Sequence, residues 1–130
     1  MAAGNVETVR RAHEALSAGD IDGLIALCDP SFRLDMSDRV FNPAVYEGYD
    51  GIRAFYREVM DVWESFTWEV TDVEEHDGVV VAVLRSTGKA RGSGLELDRR
   101  SAIVWRLEGG TAMSLTFYRD PGEALTAARA

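Results

Sequence analysis

A single arginine follows a strongly apolar run of the sequence. Val79 to Leu84 is continuously apolar, and Arg85 comes directly after it. Burying a guanidinium beside such a run costs on the order of several kcal/mol unless the charge is paired. Arg85 is therefore an anchor for a ligand's carboxylate, enolate or phenolate, or the partner of an acid such as Asp35 or Asp38, or an arginine that reaches solvent.

Three other side chains have the chemistry to move a proton. Carboxylates beside an apolar cavity have raised pKa values and accept protons well, which makes Asp35 and Asp38 candidate bases. His13 lies on the apolar stripe of a predicted helix, and an imidazole titrates near neutrality. Each also has a plain structural interpretation, as a solvated loop acid or a hydrogen-bonded core histidine. His76 stands beside a turn, and no metal-ligand spacing or cofactor-binding motif occurs, so we predict neither metal nor cofactor.

Aromatic and hydroxyl side chains are spaced so that they could line a pocket. Small-molecule sites often combine an aromatic wall with a few hydroxyl donors, although the same residue types at core spacing also indicate ordinary packing. The candidate ligand-binding residues of this kind are Tyr56, Trp63, Ser101, Trp105, Ser114, Thr116 and Tyr118.

The N-terminal half carries the helices that would position these groups. Apolar residues recur there at spacings of three and four, and Gly, Asp and Pro mark the helix ends. The predicted segments are a first helix along Val6 to Leu16 ending at Gly19, a second from Asp20 to Cys28 closed by Pro30, a short strand from Phe32 to Met36, an irregular stretch from Ser37 to Tyr49, and a third helix capped by Asp50 and reaching Trp63.

From Phe66 onwards the apolar period changes to two, which predicts strands. Asp77-Gly78 marks a tight hairpin turn. The remaining predicted segments are a strand leading to His76, strands from Val79 to Arg91, Leu95 to Leu107 and Thr111 to Tyr118, and a last helix beginning at Pro121. Helices followed by a four-strand meander indicate an α+β fold with an antiparallel sheet.

Both faces of the predicted meander are apolar. An antiparallel sheet covered on one side should alternate apolar with polar residues, yet Val79 to Leu84 and Ala102 to Trp105 are continuous apolar runs. The helices are too few to cover both faces. We therefore predict a homodimer formed through the outer face of the sheet.

Composition excludes several classes of protein. The 130 residues carry a formal net charge of −8 with no basic cluster longer than Arg99-Arg100, so we expect no binding to nucleic acid or to membranes. There is one cysteine, Cys28, and no long apolar segment or signal peptide, which favours a reducing, cytoplasmic location.

Two segments resemble a known superfamily. They are Ala18-Gly19-Asp20-Ile21-Asp22-Gly23-Leu24 and Tyr46-Glu47-Gly48-Tyr49-Asp50-Gly51-Ile52-Arg53-Ala54-Phe55-Tyr56, and the meander follows them. The succession is similar to the nuclear transport factor 2-like superfamily, and most similar to SnoaL-like polyketide cyclases and ketosteroid isomerases. It covers residues 1–130 as one SnoaL-like domain.

The resemblance implies a cone-shaped α+β barrel, a curved antiparallel sheet wrapped by three N-terminal helices around a pocket for a small hydrophobic molecule. Strand parity carried over from the family points the odd-numbered residues of Val79 to Thr87 inward, including Arg85. It also points inward Ser101, Ile103, Trp105, Ser114, Thr116 and Tyr118, together with Tyr56 and Trp63 from the third helix.

The catalytic groups of ketosteroid isomerases are absent from the matching positions. The base position falls on Met36, beside Asp35, and the helix tyrosine position falls on Ala12, beside His13. The sheet acid position falls on Ile103, which together with Met36 is a further candidate ligand-binding residue. Steroid isomerisation by that mechanism is therefore not expected.

Three functional hypotheses follow from the sequence. The first is a cofactor-free isomerase, cyclase or dehydratase that moves a proton on a hydrophobic oxygenated substrate, with Arg85 holding an oxyanion. The second is a non-catalytic binding or assembly module, and the third is a cone filled by its own side chains. A cavity of a few hundred Å³ would favour the first two.

Overall fold

The computed structural model describes residues 4–40 and 42–129. Their helices and strands, in chain order, are α1 Asn5–Ala18, α2 Ile21–Ile25, β1 Cys28–Asp35, β2 Val45–Glu47, α3 Gly48–Val62, β3 Trp63–His76, β4 Val79–Ala90, β5 Glu96–Glu108, β6 Thr111–Tyr118 and α4 Pro121–Arg129. One curved sheet holds the strands in the order β2-β1-β6-β5-β4-β3. The predicted α+β class is confirmed, but the sheet remains open at β2 and β3 and does not close into a barrel.

Local sequence signals set the first helix boundaries as predicted. Gly19 ends α1 with a left-handed φ of 75°, and its N–H donates to the Leu16 carbonyl at 3.2 Å. Asp20 then caps α2, because its side chain accepts a hydrogen bond from the Gly23 N–H at 2.9 Å.

Several predicted element boundaries are wrong. Helix α3 begins at Gly48 with Glu47 at its N-cap, so Asp50 lies within its first turn, and the stretch predicted to be irregular contains β2. Helix α2 ends at Ile25, so Cys28 opens β1 and Pro30 lies within that strand. Proline is tolerated there because the pairing of β1 with β6 shifts register between Cys28 and Arg33, which is where a ladder can accommodate a missing N–H. Trp63 opens β3 instead of ending α3.

The meander from β3 to β6 is antiparallel, as predicted. Asp77 and Gly78 both have positive φ, 46° and 81°, which is the conformation of a two-residue hairpin turn of type I′. Strand β1 departs from the prediction, because it runs parallel to its neighbour β6.

The inner face of the sheet packs against α1, α2 and α3. Val80 lies opposite Trp105, and Ala82 lies opposite Ile103, so these four side chains share that face. The buried core formed there also includes Val9, Ala12, Leu16, Leu24, Phe32, Leu34, Met36, Ile52, Phe55, Val59, Trp68, Leu84, Leu107, Ala112, Leu115 and Phe117.

Helix α4 covers one end of the outer face. Ala124 and Ala128 pack there against Val81, Ala102 and Val104 in a second buried cluster. Helix α4 therefore explains part of the apolar character of the outer face. The sequence argument for a dimer did not take into account that this helix packs there. No helix within residues 4–40 and 42–129 is long and apolar enough to span a bilayer.

Candidate functional site

The inward orientation predicted for Arg85 is wrong. Because Ile103 lies opposite Ala82 and Ser101 lies opposite Leu84, it is the even-numbered residues of β4 that face inward. Arg85 lies on the outer face, where its Nε and Nη2 donate to the Asp98 carboxylate at 3.0 and 2.6 Å. These bonds raise the pKa of Arg85 and lower that of Asp98, and both side chains remain exposed. The arginine thus has its own partner outside the core.

The orientation predicted for β6 is wrong for the same reason. Ile103 lies opposite Phe117, so Phe117 and Leu115 point inward. Ser114, Thr116 and Tyr118 consequently face outward. Tyr118 is half-buried against the second cluster beneath α4.

The prediction for β5 agrees with the structure in orientation. Ser101, Ile103 and Trp105 are buried and face inward. Met36 is buried in the core. Tyr56 and Trp63, half-buried, pack against that core from its edge, and Trp63 contacts Phe66 with ring centroids 5.3 Å apart.

Asp35 is held away from the core. Its carboxylate accepts hydrogen bonds from the Ser37 N–H at 2.9 Å and from the Ser37 hydroxyl at 2.6 Å. The hydroxyl bond is the main reason why the pKa of Asp35 is lowered. The raised pKa expected for a base beside an apolar cavity is therefore not found at this residue.

His13 is a buried, neutral core residue. Its Nε2 accepts a hydrogen bond from the Trp105 indole N–H at 3.1 Å, and the two rings meet edge to face. Burial lowers the pKa of His13 to about 4. Since Nε2 is an acceptor, the proton of the neutral ring is on Nδ1, which is buried without a hydrogen-bond partner.

A cluster of three arginines gathers at one end of the cone, and sequence reasoning missed it. Arg39 follows β1, Arg99 lies on β5, and Arg119 follows β6; we call these residues the arginine cluster. The Arg39 guanidinium lies 5.8 Å from the centre of the Phe55 ring, and that of Arg99 lies 5.6 Å from the Phe117 ring. The charges therefore rest on an aromatic surface.

The members of the cluster are close enough to affect one another. Burial of the Arg99 guanidinium lowers its pKa, and the positive charges of Arg119 and Arg39 lower it further. An added anion would relieve that repulsion. One signal for Arg99 was present in the sequence: it lies two residues before Ser101, so the parity that turns Ser101 inward turns Arg99 inward as well.

Asp38 is the predicted catalytic residue that reaches this cluster. Its Oδ2 accepts a hydrogen bond from the Arg119 backbone N–H at 2.9 Å and lies 3.7 Å from the Arg119 Nε. The carboxylate thereby ties the connection after β1 to the end of β6. It places one potential proton acceptor beside the Arg119 guanidinium.

Tyr46 holds Arg39 from the other side. The Arg39 Nη2 donates to the Tyr46 hydroxyl at 2.9 Å, and that hydroxyl donates a short hydrogen bond to Glu58. Burial and Glu58 raise the pKa of Tyr46 despite the opposing effect of Arg39, so the phenol keeps its proton near neutral pH. The Arg39 Nε is buried without a partner, and so is the Ser101 hydroxyl.

Two grooves lie on the surface, away from the arginine cluster. The first, about 530 Å³, is bordered by Gly19, Asp20, Arg53 and Tyr56 among others. The second, about 550 Å³, lies beside His76, Arg106 and the end of α4. Within the described residues, no three His, Cys, Asp or Glu side chains are arranged as metal ligands.

The family follows from a sequence comparison. Residues 9–114 match the family described as the SnoaL-like domain. The chain belongs to this family. No curated protein matches the sequence of this SnoaL-like chain significantly.

Solved structures give the same fold. A protein assigned as a SnoaL-like polyketide cyclase from Jannaschia is 24% identical with a TM-score of 0.77, covering 97% of this chain and 92% of its own. An NTF2-like protein of unknown function from Burkholderia pseudomallei is 24% identical with a TM-score of 0.78, covering 97% and 98%. A protein with a ketosteroid isomerase-like fold from Catenulispora acidiphila is 15% identical with a TM-score of 0.80, covering 97% and 95%. At these identities the similarity establishes the fold of the SnoaL-like chain.

Proposed function

We propose that this SnoaL-like protein binds a small, hydrophobic, oxygenated molecule at the arginine cluster and holds it through an acidic or enolisable oxygen. The observation that carries the proposal is the convergence of Arg39, Arg99 and Arg119 on one aromatic-lined end of the cone. The protein as a whole is acidic, with a net charge of −8, so a local concentration of positive charge of this kind needs an explanation. Binding an anionic oxygen provides it.

A cofactor-free proton transfer fits the same arrangement. Asp38 would accept a proton from the carbon next to a carbonyl group, and the electron pair would move onto the carbonyl oxygen. One guanidinium of the arginine cluster would stabilise the enolate formed there. In an isomerisation, Asp38 would return the proton to another carbon of the substrate. In a cyclisation, the enolate carbon would attack a second carbonyl group of the same molecule, and the oxygen of that carbonyl would take up the proton. The polyketide cyclase assignment of the Jannaschia relative is compatible with this chemistry.

A non-catalytic binding module is the second candidate, and one observation favours it. The Asp38 carboxylate already accepts the Arg119 N–H and faces its guanidinium, so it has a structural role in joining two segments. In that case the arginines would hold the ligand and Asp38 would only brace them.

Binding can be tested with 2-naphthoate as a probe, by fluorescence titration of the purified chain. We expect the Arg99→Met variant to bind the probe about tenfold more weakly, because one charge-assisted hydrogen bond is worth about 1.5 kcal/mol or more. Arg85→Met is the matched control, since Arg85 is exposed and paired with Asp98 on the opposite face. Equal losses in the two variants would refute the proposed site.

Catalysis is tested separately by hydrogen–deuterium exchange at the acidic carbon of 2-tetralone in D2O, followed by NMR. A catalytic Asp38 predicts that the wild type accelerates exchange and that Asp38→Asn lowers the rate by about 100-fold, while naphthoate affinity is retained. The asparagine can still accept the Arg119 N–H. No acceleration by a wild type that binds naphthoate would leave the binding module as the function.

The homodimer remains part of the proposal. The part of the outer sheet face that α4 leaves open carries charges of both signs, including Glu69, Arg85, Asp98 and Arg100. A mixed face of this kind can complement itself about a two-fold axis. Light scattering after size-exclusion chromatography tests it, and a monomer at all concentrations would refute it.

A further inference from the structure

Two members of the arginine cluster have no carboxylate partner in the described part of the chain. Arg119 lies 3.7 Å from Asp38. Arg39 and Arg99 make no ion pair among the described residues, whereas Arg85 and Arg129 do. Other surface arginines also lack an ion pair, but the guanidiniums of Arg39 and Arg99 each lie over an aromatic ring. Two guanidiniums are therefore left to be neutralised by something else.

Arg39 lies on one side of the site and is held in place there. Its Nη2 is fixed by the Tyr46 hydroxyl, and its charged end lies over the Phe55 ring of α3. Glu58 is the nearest carboxylate in this network, but the neutral Tyr46 hydroxyl stands between it and Arg39. The Nε–H remains buried and unpartnered. A guanidinium so placed is ready to donate to one acceptor group.

Arg99 lies on the other side, on the sheet. Its charged end lies over the Phe117 ring of β6. Ser101, next to it on the same face, is 1% exposed and its hydroxyl has no hydrogen-bond partner. A buried polar group without a partner is uncommon in native proteins and points to a missing one.

The two sides belong to different elements but act on each other. Asp38, the neighbour of Arg39 in the chain, accepts a hydrogen bond from the Arg119 N–H, and Tyr118, the residue before Arg119, lies opposite Ala102 on β5. Arg39 and Arg99 therefore lie at the same end of the sheet, and the charge of Arg39 contributes to lowering the pKa of Arg99. Each guanidinium is backed by its own ring, so the two are separate positions and not a single clamp around one group.

We infer that the ligand carries two acidic groups, as a dicarboxylate or a bis-enol does, and that one binds Arg39 while the other binds Arg99. This inference rests on the proposed function and specifies the ligand class of that same site. In the complex, Phe55 would lie beneath the Arg39 guanidinium and its bound acidic group, and Phe117 would lie beneath the Arg99 guanidinium and its bound acidic group. The Ser101 hydroxyl would donate to the group at Arg99.

The test compares 2,6-naphthalenedicarboxylate with 2-naphthoate on the whole chain by titration calorimetry. The dianion should bind about tenfold more tightly than the monoanion, because it gains a second charge-assisted contact. In Arg39→Met and in Arg99→Met that advantage should disappear. In Arg85→Met, on the outer face, it should persist.

Other outcomes overturn the inference in distinguishable ways. If naphthoate binds and the dianion binds no more tightly, the two-point site is refuted while the proposed function stands. If neither probe binds, the proposed function fails too. If inorganic phosphate displaces the dianion at equal concentration, the arginines form one compact anion site and the inference is wrong. Should Arg39→Met not fold, Arg39→Lys replaces it. Lysine keeps the charge but has neither the Nη2 donor that Tyr46 fixes nor the unpartnered Nε–H. An undiminished dianion advantage in Arg39→Lys refutes the role given to the Arg39 Nε.

Discussion

Lowering the pH from about 7 to about 5 should destabilise the fold through the buried imidazole of His13. In the folded chain burial lowers the pKa of His13 from 6.5 to about 4, whereas the unfolded chain exposes the ring and restores its ordinary pKa. Between these values the unfolded state binds the proton and the folded state does not. Stability that is present above the unfolded pKa is therefore lost as the pH falls from about 6.5 towards about 4.

The size of the effect follows from the two pKa values. For a drop from 6.5 to about 4, linkage gives a loss of about 2 kcal/mol between pH 7 and pH 5. Glu74, whose pKa is lowered to about 2 mainly by Arg129, contributes a loss only as the pH falls below about 4.5. The range above pH 5 therefore excludes the loss caused by Glu74, and the second histidine, His76, which lies 2.6 Å from Glu74, is removed by substitution.

Urea unfolding followed by tryptophan fluorescence measures this loss, and His13→Gln is the decisive variant. Glutamine does not titrate, and its side-chain carbonyl can still accept the Trp105 indole N–H. Both measurements are made in a His76→Gln background, which removes the second histidine. There His13→Gln should keep nearly the same stability at both pH values, while the chain that retains His13 should lose about 2 kcal/mol. If His13→Gln and the chain that retains His13 lose equal amounts, the burial argument is refuted.

Two further substitutions test the packing that supports the site. Gly19→Ala should destabilise by about 1–2 kcal/mol, because alanine disfavours the left-handed backbone at this position. The new Cβ would also lie 2.8 Å from the Tyr56 hydroxyl oxygen, so Gly92→Ala, with positive φ but no neighbour within 4 Å, should cost less in the same urea titration. Ala124→Leu should destabilise by about 1–3 kcal/mol, because Ala124 is fully buried between α4 and the sheet. Thr126→Leu on the exposed side of α4 should change little, and a similar loss in both variants by thermal unfolding would argue against α4 packing on the outer face.

Much of the fold could be predicted because its signals are local. Gly19 and Asp20 determine a helix end and a helix start within a few residues, and Asp77-Gly78 determines a hairpin turn on its own. The family resemblance, carried by segments around Gly19 and Gly48, added the arrangement of these elements, and it is confirmed by the family match.

The orientation of β4 and β6 could not be predicted in the same way. Alternation distinguishes two faces only when one of them is polar, and here α1–α3 cover one face while α4 covers part of the other. The faces depend on pairing between strands: Val80 lies opposite Trp105, whereas Ile103 lies opposite Phe117. If the pairing of two strands is assumed one residue out of register, every side chain of the strand is assigned to the opposite face of the sheet. The inward orientation predicted for Arg85 is an error of this kind.

The arginine cluster was hidden for a related reason. Its members come from three segments that are distant in sequence, and two of them follow the ends of strands. Only the parallel pairing of β1 with β6, which was not predicted, brings Asp38 and Arg39 next to Arg119. Arg99 alone had a usable signal, its shared parity with Ser101.

The central claim is that ligands bind at the arginine cluster and not in a surface groove, and NMR of arginine side chains tests it most directly. During titration with 2-naphthoate, the Nε–Hε signals of Arg39 and Arg99 should shift. Those of Arg53 and Arg57, which border the groove of about 530 Å³, should stay in place. Shifts confined to Arg53 and Arg57 would contradict the account.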